Sequence, residues 1–317
     1  MKSQYAEELR SGQTVKEVFV LSWKSIKDKK DGGVFAVLEF SDRSGTIQGI
    51  AWDNVVESVS VLSVGDFVFV VGNVNEYNDR LQIVVNSIKR IDEDEIDPKD
   101  FLPCAEEDID QAFNEINDFR SNIKDVHLKQ LLDAFFKDKD LIEKFKLAPA
   151  AKRVHHAYIG GLVVHTRNVL KLIDKVNDVY ADLNLDLLIT AGILHDIGKV
   201  YEYTYTRSID FSTQGRMFGH IVIGYELIAD KTKQIPDFPE SLRLRLLHMI
   251  LSHHGEYEWG SPKQPSFLEA LILHFLDNLD SKVEIMTSAK KKNKGMEKDW
   301  SDYHPFLERE IYLREEN

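Results

Sequence analysis

Between residues 91 and 105 the hydrophobic period of this 317-residue chain changes, and no other feature limits its fold as much. Upstream, apolar residues come in short runs rich in Val, Ile and Phe: Gln13 to Trp23, Val34 to Phe40, Thr46 to Trp52, Asp66 to Val74 and Leu81 to Ile91. Turn formers such as Asp42-Arg43-Ser44-Gly45 and Asn78-Asp79-Arg80 separate them. Such runs read as antiparallel strands. Downstream of Ala105, apolar residues recur at spacings of three and four, as in Ile109, Phe113, Ile116 and Phe119, then Leu128, Leu131, Leu132 and Phe135. That is the period of helices. The chain is therefore expected to be a β-barrel domain followed by an all-helical one, and a single layered domain is excluded.

The spacing predicts further helices over 155–177, 184–195, 219–231, 240–253 and 266–286, and a short one from Asn54 to Ser60 between the third and fourth strands. Five strands and that helix have the size of an oligonucleotide/oligosaccharide-binding (OB) fold, the main alternative being another small barrel. Asp92-Glu93-Asp94-Glu95 through Pro103 combines a charge block with two prolines and reads as an acidic linker. The expected organisation is a barrel over 1–91, the linker over 92–104, a helical connector over 105–150, a helical domain over 151–286, and a basic loop with a C-terminal tail over 287–317.

Charge narrows the function. The formal net charge is −13, with −1 in residues 1–90, −9 in 91–150 and −3 in the remainder. A broad basic face for duplex nucleic acid is not expected, because such binding depends on many Lys and Arg releasing counterions. A polyanionic substrate remains open if metal ions supply positive charge locally. Apolar runs such as Phe67 to Val71 fall far short of the ~20 residues that span a bilayer. The first residues lack the apolar core of a secretion signal. Cys104 is the only cysteine, so neither an intramolecular disulfide nor a thiolate zinc cluster can form.

Eleven histidines are less informative by number than by place. His165, the pair His195-Asp196, the pair His253-His254, and Asp277 each follow an apolar stretch within or at the end of a predicted helix, and His220 lies between the two pairs. Imidazole and carboxylate groups there are costly unless each finds a partner, and a shared metal centre provides one for all. His127, His248, His274 and His304 take the ordinary reading of exposed or hydrogen-bonded histidines; His155 and His156 stay undecided. Neighbouring helix residues diverge by about 100°. Both members of a pair can therefore reach metal only near a helix end or beside two ions. Asp196 could bridge ions about 3.5–4 Å apart. Lys199 would lie one turn beyond His195 if the helix continued, with its ammonium near a phosphate oxygen. The ordinary reading makes it a surface lysine after a helix stop, with Gly198 as C-cap.

His165, His195-Asp196 within His-Asp-Ile-Gly-Lys, and Asp277 resemble the H…HD…D pattern of HD-domain metal-dependent phosphohydrolases. His220 and His253-His254-Gly255 look like the extra ligands of its binuclear branch. Joined to an N-terminal OB-fold, the whole chain resembles the YhaM family of bacterial 3′→5′ exoribonucleases. Supporting stretches are His155 to Leu162, Gly255 to Pro262 and Leu273 to Asp280. The resemblance implies a cytoplasmic bacterial enzyme that hydrolyses single-stranded RNA, with single-stranded DNA a second candidate, to 5′-mononucleotides. It also implies divalent metal ions, two per site, with Mn²⁺ favoured and Fe, Co, Zn or Ni compatible. One ion would take His165, His195, Asp196 and Asp277, the other Asp196, His220, His253 and His254, with Lys199 as a further catalytic group. HD helical domains often self-associate, which leaves room for a homo-oligomer.

Two other classes compete. One is an HD phosphohydrolase of nucleotides or cyclic dinucleotides, with the barrel as regulatory module. Its cyclic-dinucleotide members carry Gly-Tyr-Pro after the histidine pair, where this chain has Glu256-Tyr257-Glu258-Trp259-Gly260-Ser261-Pro262. The other is a non-catalytic binding protein with a structural metal, against which the large ligand set argues, because structural zinc sites are closed and four-coordinate. On the barrel, Phe35, Trp52 and Tyr77 are candidates for base stacking, and Lys24, Lys27, Lys29, Lys30, Arg43 and Arg80 for phosphates. The run Lys290-Lys291-Lys292-Asn293-Lys294 reads as a solvated loop that could also touch RNA or an acidic neighbouring subunit.

Overall fold

The computed structural model describes residues 2–29, 32–78, 80–180, 182–293 and 298–314. Asp79 of the expected turn, Lys30 and Lys294 lie outside the described residues. The chain divides into two compact units, Met1–Cys104 with Tyr205–Ser208, and Ala105–Thr204 with Ile209–Asn317.

The first unit is built on β1 (Thr14–Asp28), β2 (Val34–Asp42), β3 (Gly45–Trp52), α1 (Asp53–Ser60), β4 (Phe67–Tyr77) and β5 (Arg80–Arg90). The strands close into a barrel in the order β1-β2-β3-β5-β4. β1 serves two neighbours, pairing with β4 through Thr14–Val20 and with β2 from Val20 onward. The register shifts between Leu21 and Trp23, and such a bulge bends a strand around a barrel corner. Alternation then sorts the side chains. Ala36, Leu38 and Phe40 of β2 point inward with Phe19, Leu21 and Ile83, while Phe35, Val37 and Glu39 face out. Val55, Val56 and Val59 of α1 complete this core.

Residues 92–104 are not the free linker that their charge suggested. Phe101 is buried against Phe67, with ring centroids 4.9 Å apart. Asp100 accepts hydrogen bonds from Tyr5 Oη at 2.7 Å and the Lys2 backbone N–H at 3.2 Å. The charge block hid an apolar anchor, Phe101-Leu102, whose burial draws the segment onto the barrel.

The second unit contains α2 (Ile109–Ser121), α3 (Val126–Phe136), α4 (Lys139–Leu147), α5 (Gly161–Asn177), α6 (Leu185–Leu194), α7 (Lys199–Glu202), α8 (Thr213–Lys233), α9 (Glu240–Ser252) and α10 (Leu268–Lys292). Much of the acidity of the middle segment is used for capping. Asp108, Asp125 and Asp138 accept backbone N–H bonds at the starts of α2, α3 and α4. Leu187 to Leu194 of α6 are all buried, as a helix apolar on every side must be, and α5, α9 and α10 pack around it.

Three expectations need correction. The helix expected from 155 begins only at Gly161, because His156 (φ 47°) and Gly160 (φ 85°) hold left-handed backbone that no helix can contain. The unit is not purely helical: β6 (Tyr203–Thr204) and β7 (Asp210–Phe211) form a small antiparallel pair. Lys290, Lys291 and Lys292 form the last turn of α10, where cations offset the negative end of the helix dipole, rather than a loop. Lys291 pairs with Glu106 at 2.9 Å. The tail beyond also has structure, with Leu307 and Ile311 buried against Ile285 of α10. Among the described residues no helix is long and apolar enough to cross a membrane.

Candidate metal centre

Both histidine pairs sit just past helix C-termini. α6 ends at Leu194, with His195 as its C-cap, and α9 ends at Ser252, with His253 as its C-cap. The backbone turns away there, so adjacent side chains can face one centre. The negative ends of both helices also lie beside it, which favours a cation. Gly198 is not a C-cap. Its backbone is right-handed (φ −64°, ψ −21°), and an added Cβ would lie 2.1 Å from the His220 carbonyl oxygen. The glycine lets the 195–199 turn touch α8. In α8, Gly219 (φ 71°) breaks the helical path and presents His220.

Five imidazoles are fixed from outside. The Nδ1 of His195, His253 and His254 lies 2.9, 2.7 and 2.9 Å from the carbonyls of Gly192, Ile250 and Trp259. A carbonyl only accepts, so each Nδ1 carries the proton and each Nε2 keeps a lone pair. His165 Nδ1 meets Asp280 Oδ2 at 2.7 Å, and His220 Nδ1 meets Glu202 Oε1 at 3.1 Å. Such outer partners orient metal-ligating histidines and raise their basicity.

The inner atoms converge on Asp196. Its Oδ2 lies 3.5 Å from His165 Nε2 and 3.4 Å from His195 Nε2. Asp277 Oδ1 lies 3.1 Å from His165 Nε2 and 3.9 Å from His195 Nε2. The other oxygen, Asp196 Oδ1, lies 3.5 Å from His220 Nε2 and 3.6 Å from His253 Nε2. One carboxylate thus faces two nests. His165, His195 and Asp277 form the first, and His220, His253 and His254 the second, each with its ligand atoms within 4.8 Å of one another.

Asp196 Oδ1, His220 Nε2 and His253 Nε2 are buried without a hydrogen-bond partner among the described residues. Leaving one such group unpaired costs ~1–3 kcal/mol. Three lone-pair acceptors facing one point can be satisfied together only by a cation. Ligand atoms held ~2.0–2.2 Å from one ion are themselves roughly 3–3.5 Å apart, so the donor set fits a divalent metal.

Lys199 is buried, with Nζ 2.6 Å from Asp196 Oδ2. α6 does not continue into it, so it approaches across a tight turn rather than from the next helical turn. Burial alone would raise the Asp196 carboxyl, but the Lys199 ammonium and the facing imidazoles hold it well below the usual carboxylate range. Burial also works against charge on His165, and is outweighed by hydrogen bonds to Asp277 and Asp280, which raise it to about 10. Burial pushes His254 down to about 3, with His253 and His220 adding to the effect.

The sequence missed an outer layer. Asp280 receives His156 Nε2 at 2.8 Å and Asn168 Nδ2 at 2.9 Å besides His165. His156, His165 and Asp280 lie together closely enough for a metal, but these nitrogens are already spent on the carboxylate, so the trio orders His165. Glu202 holds both the Nδ1 and the backbone N–H of His220. Asp280 did have a signal: it follows Asp277 by one helical turn. Glu202 had none. His274 bonds the His253 carbonyl at 2.9 Å.

A cavity of about 390 Å³ opens on the centre, with Lys199, His220, His254 and Asp277 at one end and Ala150, Val154, Trp259, Ile285 and Phe306 around the rest. On the barrel, Trp52 and Tyr77 are exposed, and Phe35 pairs with Trp52 at 5.8 Å. Lys24 is not available for phosphate, because its ammonium caps the Val59, Ser60 and Leu62 carbonyls at and just past the end of α1. Lys29 pairs with Asp53, and the Arg43 guanidinium lies over the Tyr5 ring. Lys27 and Arg80 are exposed.

Two family models match the chain, an HD domain over residues 162–282 and an OB-fold nucleic acid binding domain over residues 22–91. The 3′-5′ exoribonuclease YhaM of Geobacillus sp. (strain WCH70) is 34% identical, over 83% of this chain and 81% of its own length. The proteins of that name from Bacillus subtilis (strain 168) and Listeria welshimeri are 32% and 34% identical, each over 89% of this chain and 90% of its own. Among solved structures, the second OB-fold domain of replication protein A from Methanococcus maripaludis aligns with 27% of this chain and 90% of its own, at 26% identity and a TM-score of 0.24.

Proposed function

This chain belongs to the YhaM family of 3′-5′ exoribonucleases, and from that membership and its metal centre we infer that it is a metal-dependent hydrolase that shortens RNA from the 3′ end. The observation that carries the chemistry is the set of outward-bonded Nδ1 atoms whose Nε2 atoms face Asp196, with His220 Nε2, His253 Nε2 and Asp196 Oδ1 left without a partner among the described residues. His165, His195, Asp277 and Asp196 Oδ2 would hold one divalent ion, and His220, His253, His254 and Asp196 Oδ1 a second. Ions held there would polarise a phosphoryl oxygen and make water nucleophilic near neutral pH. Imidazole and carboxylate donors suit Mn, Fe, Co, Zn and Ni, and the family likeness favours Mn²⁺.

The chain's own groups account for the rest. Lys199 balances the Asp196 charge and faces the cavity, where its ammonium meets a phosphate oxygen. Asp280 and Glu202 keep His165 and His220 in one tautomer. The metal end of the cavity recognises phosphate and the remainder is largely apolar, so any base is accepted. Exposed Trp52 and Tyr77 suit stacking of a single strand, with RNA the main substrate and DNA a second. The products are 5′-mononucleotides, and the place of action is the bacterial cytoplasm.

The test is 5′-labelled single-stranded RNA with Mn²⁺, alone and annealed to its complement. A shortening ladder on the single strand only, abolished by chelator, is expected. Immediate release of a labelled mononucleotide would reverse the polarity and reject the inference.

A further inference from the structure

The second unit has another cavity, of about 550 Å³, next to the one that opens on the metal centre. The two share a wall made of Val154, Ile285 and Phe306. Only the first touches the proposed ligands. The far side of the second comes from the end of α10 and from the 298–314 segment, beyond the HD match that ends at residue 282.

Its chemistry differs from that of a packing gap. Arg153 and Lys292 line it, and neither has an ion pair among the described residues, whereas the one lining carboxylate, Asp302, is paired with Lys298 at 3.7 Å. Tyr303 and Phe306 are exposed aromatic rings on the same lining. The wall is held in place. Leu307 and Ile311 are buried against Ile285, and Lys282 Nζ donates to the Phe306 carbonyl at 2.9 Å. Free cations beside open aromatic faces are what a single-stranded nucleic acid needs: charge for the backbone and flat surface for the bases.

We propose that this second cavity is a subsite for the strand that the enzyme retains, taking the nucleotide on the 5′ side of the one at the metal centre. Its base stacks on Tyr303 or Phe306, and its phosphate lies against Arg153 and Lys292. Phe306 stands between two successive nucleotides and fixes their spacing. The inference rests on the exoribonuclease reading and adds that substrate length is sensed within the catalytic unit itself.

The test uses the full chain with Mn²⁺, the double variant Arg153→Ala/Lys292→Ala, and Tyr303→Ala. Each is assayed on a long single-stranded RNA and on bis(p-nitrophenyl) phosphate, which reaches only the metal end. The KM for RNA should rise about tenfold in the double variant with kcat nearly unchanged, the mark of lost uniform binding. Tyr303→Ala should raise it about five- to a hundredfold, and Tyr303→Trp should restore it. Hydrolysis of the aryl diester should not change. An unaltered KM for RNA overturns the subsite, as does an equal loss on both substrates, which would make these residues a structural wall. Wild-type protein that cleaved the aryl diester but left RNA whole would instead reject the exoribonuclease reading, and the subsite with it.

Discussion

Both units bury charge, and they do it in opposite ways. In the barrel, Lys2 lies 3.3 Å from Asp42, both side chains almost without exposure, and its ammonium sits 3.6 Å over the Phe19 ring. Asp42 also accepts the Ala6 N–H at 2.9 Å and the Ser44 N–H and hydroxyl at 2.9 and 2.6 Å. Glu17 is bonded by the Ser3, Gln4 and Val18 N–H groups, which keep it acidic against the pull of burial. Each of these buried charges has been answered by the chain. In the helical unit, Asp196 Oδ1, His220 Nε2 and His253 Nε2 are left unanswered. A folded protein tolerates such a cost where something outside the chain removes it. Buried charge therefore marks function only where it is incomplete.

The strongest way to break this contrast is Asp196→Asn. Loss of activity by more than about a thousandfold is expected, equivalent to ~4 kcal/mol of transition-state stabilisation. Metal content should fall, and the metal-free protein should lose some stability, because the buried Lys199 ammonium no longer has a carboxylate 2.6 Å away. Full metal content with near-normal turnover would show that Asp196 is not a ligand. Asp42→Ala is the converse and should destabilise the barrel by about 3–5 kcal/mol, by stranding a buried ammonium. Denaturant unfolding reads this out, with hydrolysis of a small aryl diester unaffected below the transition. If Asp42→Ala unfolds like wild type, the barrel's charges are not coupled as the geometry has them.

Asp280→Asn sharpens the comparison, because Asp280 is answered charge within the unanswered cluster. Burial disfavours its charge, but its bonds from His156 and His165 prevail and hold it well below the usual carboxylate range. Its loss should weaken metal binding about ten- to a hundredfold, read by titration, with the fold retained. Undiminished affinity would mean that His165 needs no orientation.

The smallest effect concerns acid. Burial, with Lys199 nearby, lowers His155 to about 3. The unfolded chain therefore takes up a proton near pH 6.5 that the folded chain refuses until about pH 3. The unfolded state binds more protons in that window, so stability falls as pH drops through it. His155→Gln should flatten the slope of unfolding free energy between pH 6.5 and 4. An unchanged slope would assign it to other groups.

Much of this was legible because it is local. Alternation in Val34 to Phe40 marked a strand, and the apolar stretch before His195-Asp196 marked a polar pair needing a partner. What stayed hidden depends on distant contacts. Nothing near Glu202 in sequence shows that Gly219 will turn α8 and bring His220 onto it. Lys24 looked like a phosphate contact because the sequence could not show three carbonyls waiting at the end of α1. The acidic stretch 92–104 misled because charge is conspicuous, whereas two apolar residues within it, Phe101 and Leu102, decided where it went.

Asp196 is one side chain serving two nests, and this makes their occupancy a matter of linkage. If both nests held ions, one in either nest would neutralise the carboxylate that the other needs, and would also hold it in the orientation that the other needs. The first effect opposes the second ion and the second helps it. Their balance is a coupling free energy that must be the same whichever nest fills first. Unless the two effects cancel, activity follows metal concentration with a slope that differs from that of two independent sites. With two ions bound, the supply of metal would then act as an input to the rate at which RNA is removed, through a single shared carboxylate.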